Sequence, residues 1–328
     1  MDVMMLYCYM SYENSDKLGH SSMTNVILVN KYDFFIIVRK IEKDVFSLSQ
    51  IHIVTDSTCD LTDAEIQEHG IHVVPLTVQI DDKTYTDRVN LQPDTFIKLL
   101  KTAKELPKSS QPSPGVFKEL YDKLGKDGSK IISIHMTGSM SGTYQSANQA
   151  SQMTDSDVTV MDSRYIAFGL AFQLREAIRL RNEGATVEEI VAGVNRVREN
   201  TRLFVALDTL ENMVKGGRIG KGKAVVSSLL NIKPIGHLDI GEVTICAKPR
   251  SYKQVVKYLM SEFEKDTQGK KVAGVAISHA NAMDTLVNPL IEQVKATGYT
   301  GQVEVAFTSP VISTHTGEGA IGFIYYTE

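Results

Sequence analysis

Ile51-His52-Ile53-Val54-Thr55-Asp56-Ser57-Thr58 decides the fold, because an apolar run, Ile51 to Val54, passes directly into a polar string. A short apolar run bounded by turn formers reads as a strand followed by a loop. Thr62 with Glu65 three residues on is a capping-box pattern, and Gly70 marks where that helix stops. The order of strand, loop and helix then recurs. Ser113-Pro114 opens a helix as N-cap and first helical residue, with Phe117, Leu120, Tyr121 and Leu124 on one face and Gly125 behind it. Ile131 to Met136 reads as a strand, Thr137 to Thr143 as a polar loop, the segment through Ala147 and Ala150 as a small-residue helix, and Val158 to Met161 as a further strand. Strands alternating with helices predict a parallel sheet with its ligand sites at the carboxyl ends of the strands, where the loops after Val54 and Met136 stand. Between these units the run Ile71 to Ile80 ends at Asp81-Asp82-Lys83 and leads into Thr84-Tyr85-Thr86, a small β excursion.

The second half is organised differently. Gly169 to Arg181 and Val187 to Glu199 read as helices, the latter capped by the pair Thr186 and Glu189. Strands are expected at Leu203–Leu207, Val272–Ile277, Val303–Phe307 and Ile321–Tyr326, and Ile235–Leu238 with Val243–Ala247 form a hairpin about Asp239-Ile240-Gly241-Glu242. This is a mixed α/β pattern. At 328 residues the chain has the length of two domains of about 100–200 residues each. The expected division is 51–165 and 166–328, with residues 1–50 left out of the fold as a disordered extension or a mis-called start.

A net charge of −4 gives no electrostatic reason to seek nucleic acid. Cys8, Cys59 and Cys246 lie too far apart for a metal-type spacing or a disulfide framework, which suits a reducing cytoplasm. Asn30, Lys31 and Asp33 interrupt the apolar stretch Asn25 to Val38 well short of the ~20 residues needed to span a bilayer. Met1 to Leu18 lacks the basic start and apolar centre of a signal peptide.

Three kinds of chemistry are suggested by local motifs, and each is incomplete. Gly217 through Lys223 satisfies G-x-x-x-x-G-K, but Ala224 replaces the Ser or Thr that would hold magnesium, and a helix-like segment, Thr209 to Lys215, separates the loop from the preceding strand. A basic loop of another purpose is the better reading, one still able to face an anionic group or an acidic partner. Ser139 or Ser141 with His315 and Asp56 suggests a hydrolase or acyl transferase, yet Gly138-Ser139-Met140-Ser141-Gly142 is not G-x-S-x-G. The eight histidines show no i,i+4 or cysteine-linked cluster, so no metal is expected. His315 stands in Ser313-Thr314-His315-Thr316-Gly317, read as a polar turn entering the last strand.

Taken in order, Val54-Thr55-Asp56-Ser57-Thr58, Ser110-Gln111-Pro112-Ser113-Pro114, Ser141-Gly142-Thr143-Tyr144, Lys215-Gly216-Gly217-Arg218-Ile219, Ile232-Lys233-Pro234 and His315-Thr316-Gly317 resemble the DegV family. The resemblance runs from about Ile51 to the C-terminus and is most similar to the fatty-acid-binding subunits of bacterial fatty acid kinase. It implies an α/β protein with a Rossmann-like parallel-sheet domain and a mixed-sheet domain. One long-chain fatty acid would lie in a tunnel between them, with no cofactor and no catalysis by this chain. It implies that Ser109, Ser141 and His315 bind the carboxylate, Ser109 standing where threonine is commoner. A separate kinase subunit would phosphorylate that group with ATP, and Arg250 corresponds to a family arginine implicated in kinase engagement. The resemblance further implies a cytoplasmic carrier that touches membranes only transiently, to exchange lipid.

Overall fold

In the computed structural model, which describes residues 50–219 and 232–328, the opening stretch folds as read. Strand β1 (Ile51–Asp56) leads to α1 (Asp63–Glu68), whose N-cap Thr62 accepts the Glu65 N–H while the Glu65 carboxylate accepts the Thr62 N–H. There follow β2 (His72–Val74), β3 (Thr77–Ile80), β4 (Lys83–Thr86), α2 (Pro93–Thr102), β5 (Lys108–Ser110), α3 (Pro114–Leu124), β6 (Lys130–His135), α4 (Thr143–Ser151) and β7 (Val158–Asp162). Strands β2-β1-β6-β7 form a parallel sheet, and β4-β3-β5 form a separate antiparallel one. The run Ile71 to Ile80, read as a single excursion, is thus two strands in two sheets. Pro75, with no N–H to continue a ladder, stands at the break.

The second half supplies α5 (Ala167–Asn182), α6 (Val187–Asn200), β8 (Thr201–Ala206), α7 (Glu211–Lys215), β9 (Ile235–Asp239), β10 (Glu242–Ala247), α8 (Tyr252–Thr267) and β11 (Val272–His279). A π-helical turn at Met283–Val287, α9 (Asn288–Ala296), β12 (Val303–Phe307), α10 (Pro310–Thr316) and β13 (Ile321–Thr327) complete it. The sheet order is β10-β9-β8-β13-β11-β12, parallel only between β11 and β12. The capping box predicted at Thr186 and Glu189 is present at the start of α6.

Helix α5 explains how the parallel and the mixed sheet, the two larger of the three, become one body. Phe168, Leu170, Ala171, Phe172, Leu174 and Ile178 are all buried, an apolar surface too wide for a helix with one solvent face. It packs on β1 and β6 on one side and on β8, β11 and β13 on the other. Ser49–Glu328 accordingly forms one compact unit.

A buried polar chain fixes the carboxyl ends of β1 and β6. Burial would raise the Asp56 carboxyl, but His135 Nδ1 at 3.1 Å, the Thr58 hydroxyl at 2.6 Å and the Met136 N–H at 2.8 Å hold it below the usual carboxylate range. Ser133 Oγ lies 2.6 Å from His135 Nε2 and accepts from the Tyr121 hydroxyl at 2.7 Å. Among the described residues no helix is long and apolar enough to cross a membrane. Asn25–Val38 and Gly220–Ala224, the latter part of the glycine-lysine stretch, lie outside them.

Candidate functional site

A cavity of about 310 Å³ opens where these elements converge. β5 brings Ser109 to it, the loop after β6 brings Met140 and Ser141, α10 brings His315, and the turn after α7 brings Arg218. Ser109, Ser141 and His315, widely separated in sequence, therefore line one space. Ser109 Oγ and His315 Nε2 lie 2.7 Å apart, and Ser141 Oγ lies 2.8 Å from Thr143 Oγ1 while accepting the Thr143 N–H at 3.3 Å.

His315 does not stand in a polar turn. It occupies the last turn of α10, whose N-cap Ser309 accepts the Ile312 N–H. Burial, with the charge of Arg218 beside it, pushes His315 down to about 4, so the imidazole is neutral near pH 7. Its Nδ1 is buried without a hydrogen-bond partner among the described residues. Gly216 lets the backbone pass close to this ring: a Cβ there would overlap Nδ1 and lie 2.9 Å from the Asn212 carbonyl.

Arg218 is the charged residue that reasoning from sequence did not assign to the site. Its guanidinium donates to the Met140 carbonyl at 3.1 Å and the Gly216 carbonyl at 2.7 Å, which holds a cation at the cavity wall. The signal was available in Lys215-Gly216-Gly217-Arg218-Ile219, part of a stretch read only as a basic loop able to face an anionic group or an acidic partner. Gln111 also lines the cavity, donating to Ser146 Oγ at 3.4 Å and accepting the Gly142 N–H at 3.1 Å.

Apart from Ser110 and Thr316, the rest of the wall is apolar, with Leu76, Met136, Val205, Val243, Val311 and Ile312 among its residues. Ile166, Val205, Ile312 and Thr316 also bound a second, much smaller space of about 20 Å³ lined further by Leu203, Ser278 and Ala320 of the mixed-sheet half. Hydroxyls, a neutral imidazole and a guanidinium grouped in the wall of a mostly apolar cavity suit a ligand with an anionic head and a hydrocarbon body.

Of the residues of the alternative hydrolase, Ser141 and His315 share the cavity, whereas Asp56 and Ser139 are engaged elsewhere. Asp56 is engaged with His135, and the Ser139 hydroxyl donates to the Gly241 carbonyl. Arg250 is exposed and outside the cavity lining, its N–H donating to Gln254 Oε1 at 2.8 Å just before α8. The adjoining Lys233 explains the Ile232-Lys233-Pro234 motif. It pairs with Asp208, which also accepts the Tyr252 hydroxyl at 2.8 Å, and its N–H donates to the Pro249 carbonyl at 2.7 Å. Among the described residues no group of three or more His, Cys, Asp or Glu is placed to hold a metal ion.

The family model described as "Uncharacterised protein, DegV family" matches residues 50–328. The chain is similar to a DegV domain-containing protein of Staphylococcus aureus, 40% identical over 272 residues that cover 83% of this chain and 97% of the relative. It is similar in structure to a fatty-acid-binding DegV family protein from Thermus thermophilus, with TM-score 0.80 and 31% identity over 85% of this chain and 100% of that one. The fatty acid kinase B3 protein of Streptococcus pneumoniae, loaded with linoleic acid, aligns with TM-score 0.72 and 25% identity over 85% of this chain and 100% of that one.

Proposed function

Since this chain belongs to the DegV family, we propose that it carries one long-chain fatty acid in the cavity between its two sheets and presents the carboxylate to a separate kinase subunit, which phosphorylates it with ATP to an acyl-phosphate. The observation that carries this reading is the make-up of the cavity, where Ser109, Ser141, His315 and Arg218 are grouped in a wall that is otherwise mostly apolar. The fatty acid is the ligand, and the carriage needs no cofactor. The carrier works in the cytoplasm and touches membranes only to exchange lipid.

Tail and head have different tasks. Each buried methylene contributes ~0.8 kcal/mol, so a sixteen-carbon chain supplies on the order of 12 kcal/mol gross. A hydrogen bond to the charged head supplies only ~1.5–3 kcal/mol. Affinity comes from the tail and orientation from the head. The neutral His315 and the two serine hydroxyls orient a carboxylate without consuming it, and Arg218 offsets its charge. Hydrolysis is disfavoured because no carboxylate backs the His315 ring: its Nδ1 faces Gly216 and has no acceptor among the described residues. Pro249-Arg250, fastened through Lys233, Asp208 and Tyr252, presents an exposed cation suited to the kinase subunit.

Mass spectrometry of the purified, denatured protein tests the carriage. About one fatty acid per chain is expected. Turnover of acyl esters without a partner would favour the hydrolase, and neither lipid nor turnover would leave a ligand-free scaffold.

A further inference from the structure

The tip of the β9–β10 hairpin crosses from the mixed sheet to the loop that follows β6. Thr137 Oγ1 donates to the Gly241 carbonyl at 3.1 Å, and Ser139 Oγ donates to the same oxygen. Gly241 has φ 83°, and a Cβ on it would overlap Thr137 Oγ1, so with a threonine at 137 the approach calls for glycine. Beside it Ile240 takes φ 48° while 75% exposed. A β-branched residue in the left-handed region is strained, and here its side chain gains no burial in compensation. The clasp is what holds the turn down.

Both sides of the clasp run straight into the cavity. Met140 and Ser141 follow Ser139 on one side, and Val243 follows Gly241 on the other. β10 is an edge strand paired only with β9. Its tip can therefore leave the loop without breaking any other ladder of the sheet, and when it leaves, the wall between Met140 and Val243 parts.

We propose that this hairpin tip is a latch, and that its release from Thr137 and Ser139 opens the cavity for the fatty acid to enter and leave. The proposal rests on the carriage of fatty acid argued above. The Cβ positions of residues 137 and 241 lie 3.4 Å apart, close to the roughly 3.5–4.5 Å that a disulfide requires. Thr137→Cys/Gly241→Cys, made with Cys8→Ser and Cys246→Ser, gives a latch that can be locked by oxidation and freed by reduction.

The full-length protein is loaded with a fluorescent long-chain fatty acid and its release to an excess of unlabelled oleate is timed. Release should be at least tenfold slower in the oxidised protein than in the same sample after reduction. Thr137→Val/Ser139→Ala, which lacks both hydroxyls, should release about tenfold faster than the parent. If that variant does not fold, Ser139→Ala alone should still release about threefold faster. Equal rates in the oxidised and reduced forms overturn the latch, as does an unchanged rate without the hydroxyls. A parent protein that binds no fatty acid by denaturing mass spectrometry overturns the carriage instead.

Discussion

His315 and Ser141 reach the same cavity from opposite halves of the chain, and their substitution should separate holding a lipid from presenting it. Ser141→Ala removes a contact worth about 1–3 kcal/mol while tail burial persists, so lipid should still co-purify. Acyl-phosphate formation should fall much further, because a carboxylate displaced by ~1 Å is poorly placed for in-line attack. Occupancy and kinase-dependent acyl-phosphate, measured side by side for Ser141→Ala and His315→Ala, check this. Parental values for both variants would remove these residues from the site. Arg250→Ala should do the opposite of a pocket mutation: full lipid occupancy with acyl-phosphate formation at least tenfold lower. Loss of lipid would place Arg250 in the pocket. Asp87 offers a test by pH. It is wholly buried behind Leu76 and Val311, accepts the Ser57 hydroxyl at 2.6 Å, and is pushed by burial up to about 7. A carboxyl whose folded pKa is raised binds more protons folded than unfolded, so its stabilising effect is present at lower pH and is lost as pH rises through about 7. His315, depressed to about 4, acts in the opposite sense as pH passes its unfolded value near 6.5, and so do His52, His72, His237 and His279, which burial also depresses, so the Asp87 contribution is read as the difference between the parent and Asp87→Asn. Denaturant titrations should show the parent losing about 1 kcal/mol relative to Asp87→Asn between roughly pH 6.5 and 8. An equal slope in both proteins would show that another group titrates.

The elements that could be read from sequence are those whose local chemistry agrees with their place in the fold. β1, α1 and α6 announce themselves by an apolar run and by capping boxes that the structure contains. Thr186→Ala should accordingly cost about 1 kcal/mol, seen as a lower denaturation midpoint with an unchanged slope. An unchanged midpoint would mean that the cap contributes nothing. The two short elements that carry the site were not legible for the opposite reason. α10, Pro-Val-Ile-Ser-Thr-His-Thr, is seven residues long and rich in β-branched types that disfavour a helix. Its buried surroundings and its own hydroxyls sustain it, Thr314 donating to the Pro310 carbonyl and Thr316 to that of Ile312. β5 is three residues long and paired with β3 through the register Val78 to Ser109, which no periodicity over so short a run could reveal. Ser109 and His315 were assigned by resemblance to family motifs, and only the packing of α10 on β5 brings their side chains together.

At the scale of the molecule the two sheets are joined by α5 and by Arg175 within it, which bonds Glu65 of α1 at 2.9 Å and Glu304 of β12 through two contacts of 2.6 and 2.8 Å. These joints place the cavity-lining residues of one half against those of the other, so the cavity depends on the unit Ser49–Glu328 being whole. Every residue that lines it lies between Leu76 and Thr316, and the family match itself spans 50–328. The strand that opens the fold, β1, starts at Ile51, and the first ladder bond of the described chain, from the Lys130 N–H, goes to the Gln50 carbonyl. A chain that begins at Leu48 therefore keeps the whole of that strand, the Asp56 network behind it and the full cavity. Deleting Met1–Ser47 should leave lipid occupancy at the parental level, measured by denaturing mass spectrometry on both proteins after the same purification. The melting temperature of the lipid-loaded truncated protein should also stay within a few degrees of the parent's, because the apolar clusters that surround β1, α5 and the two sheets are all retained. A truncated protein that folds with parental secondary structure but holds no fatty acid would place part of the ligand site in the first 47 residues, and the lining described here would be incomplete.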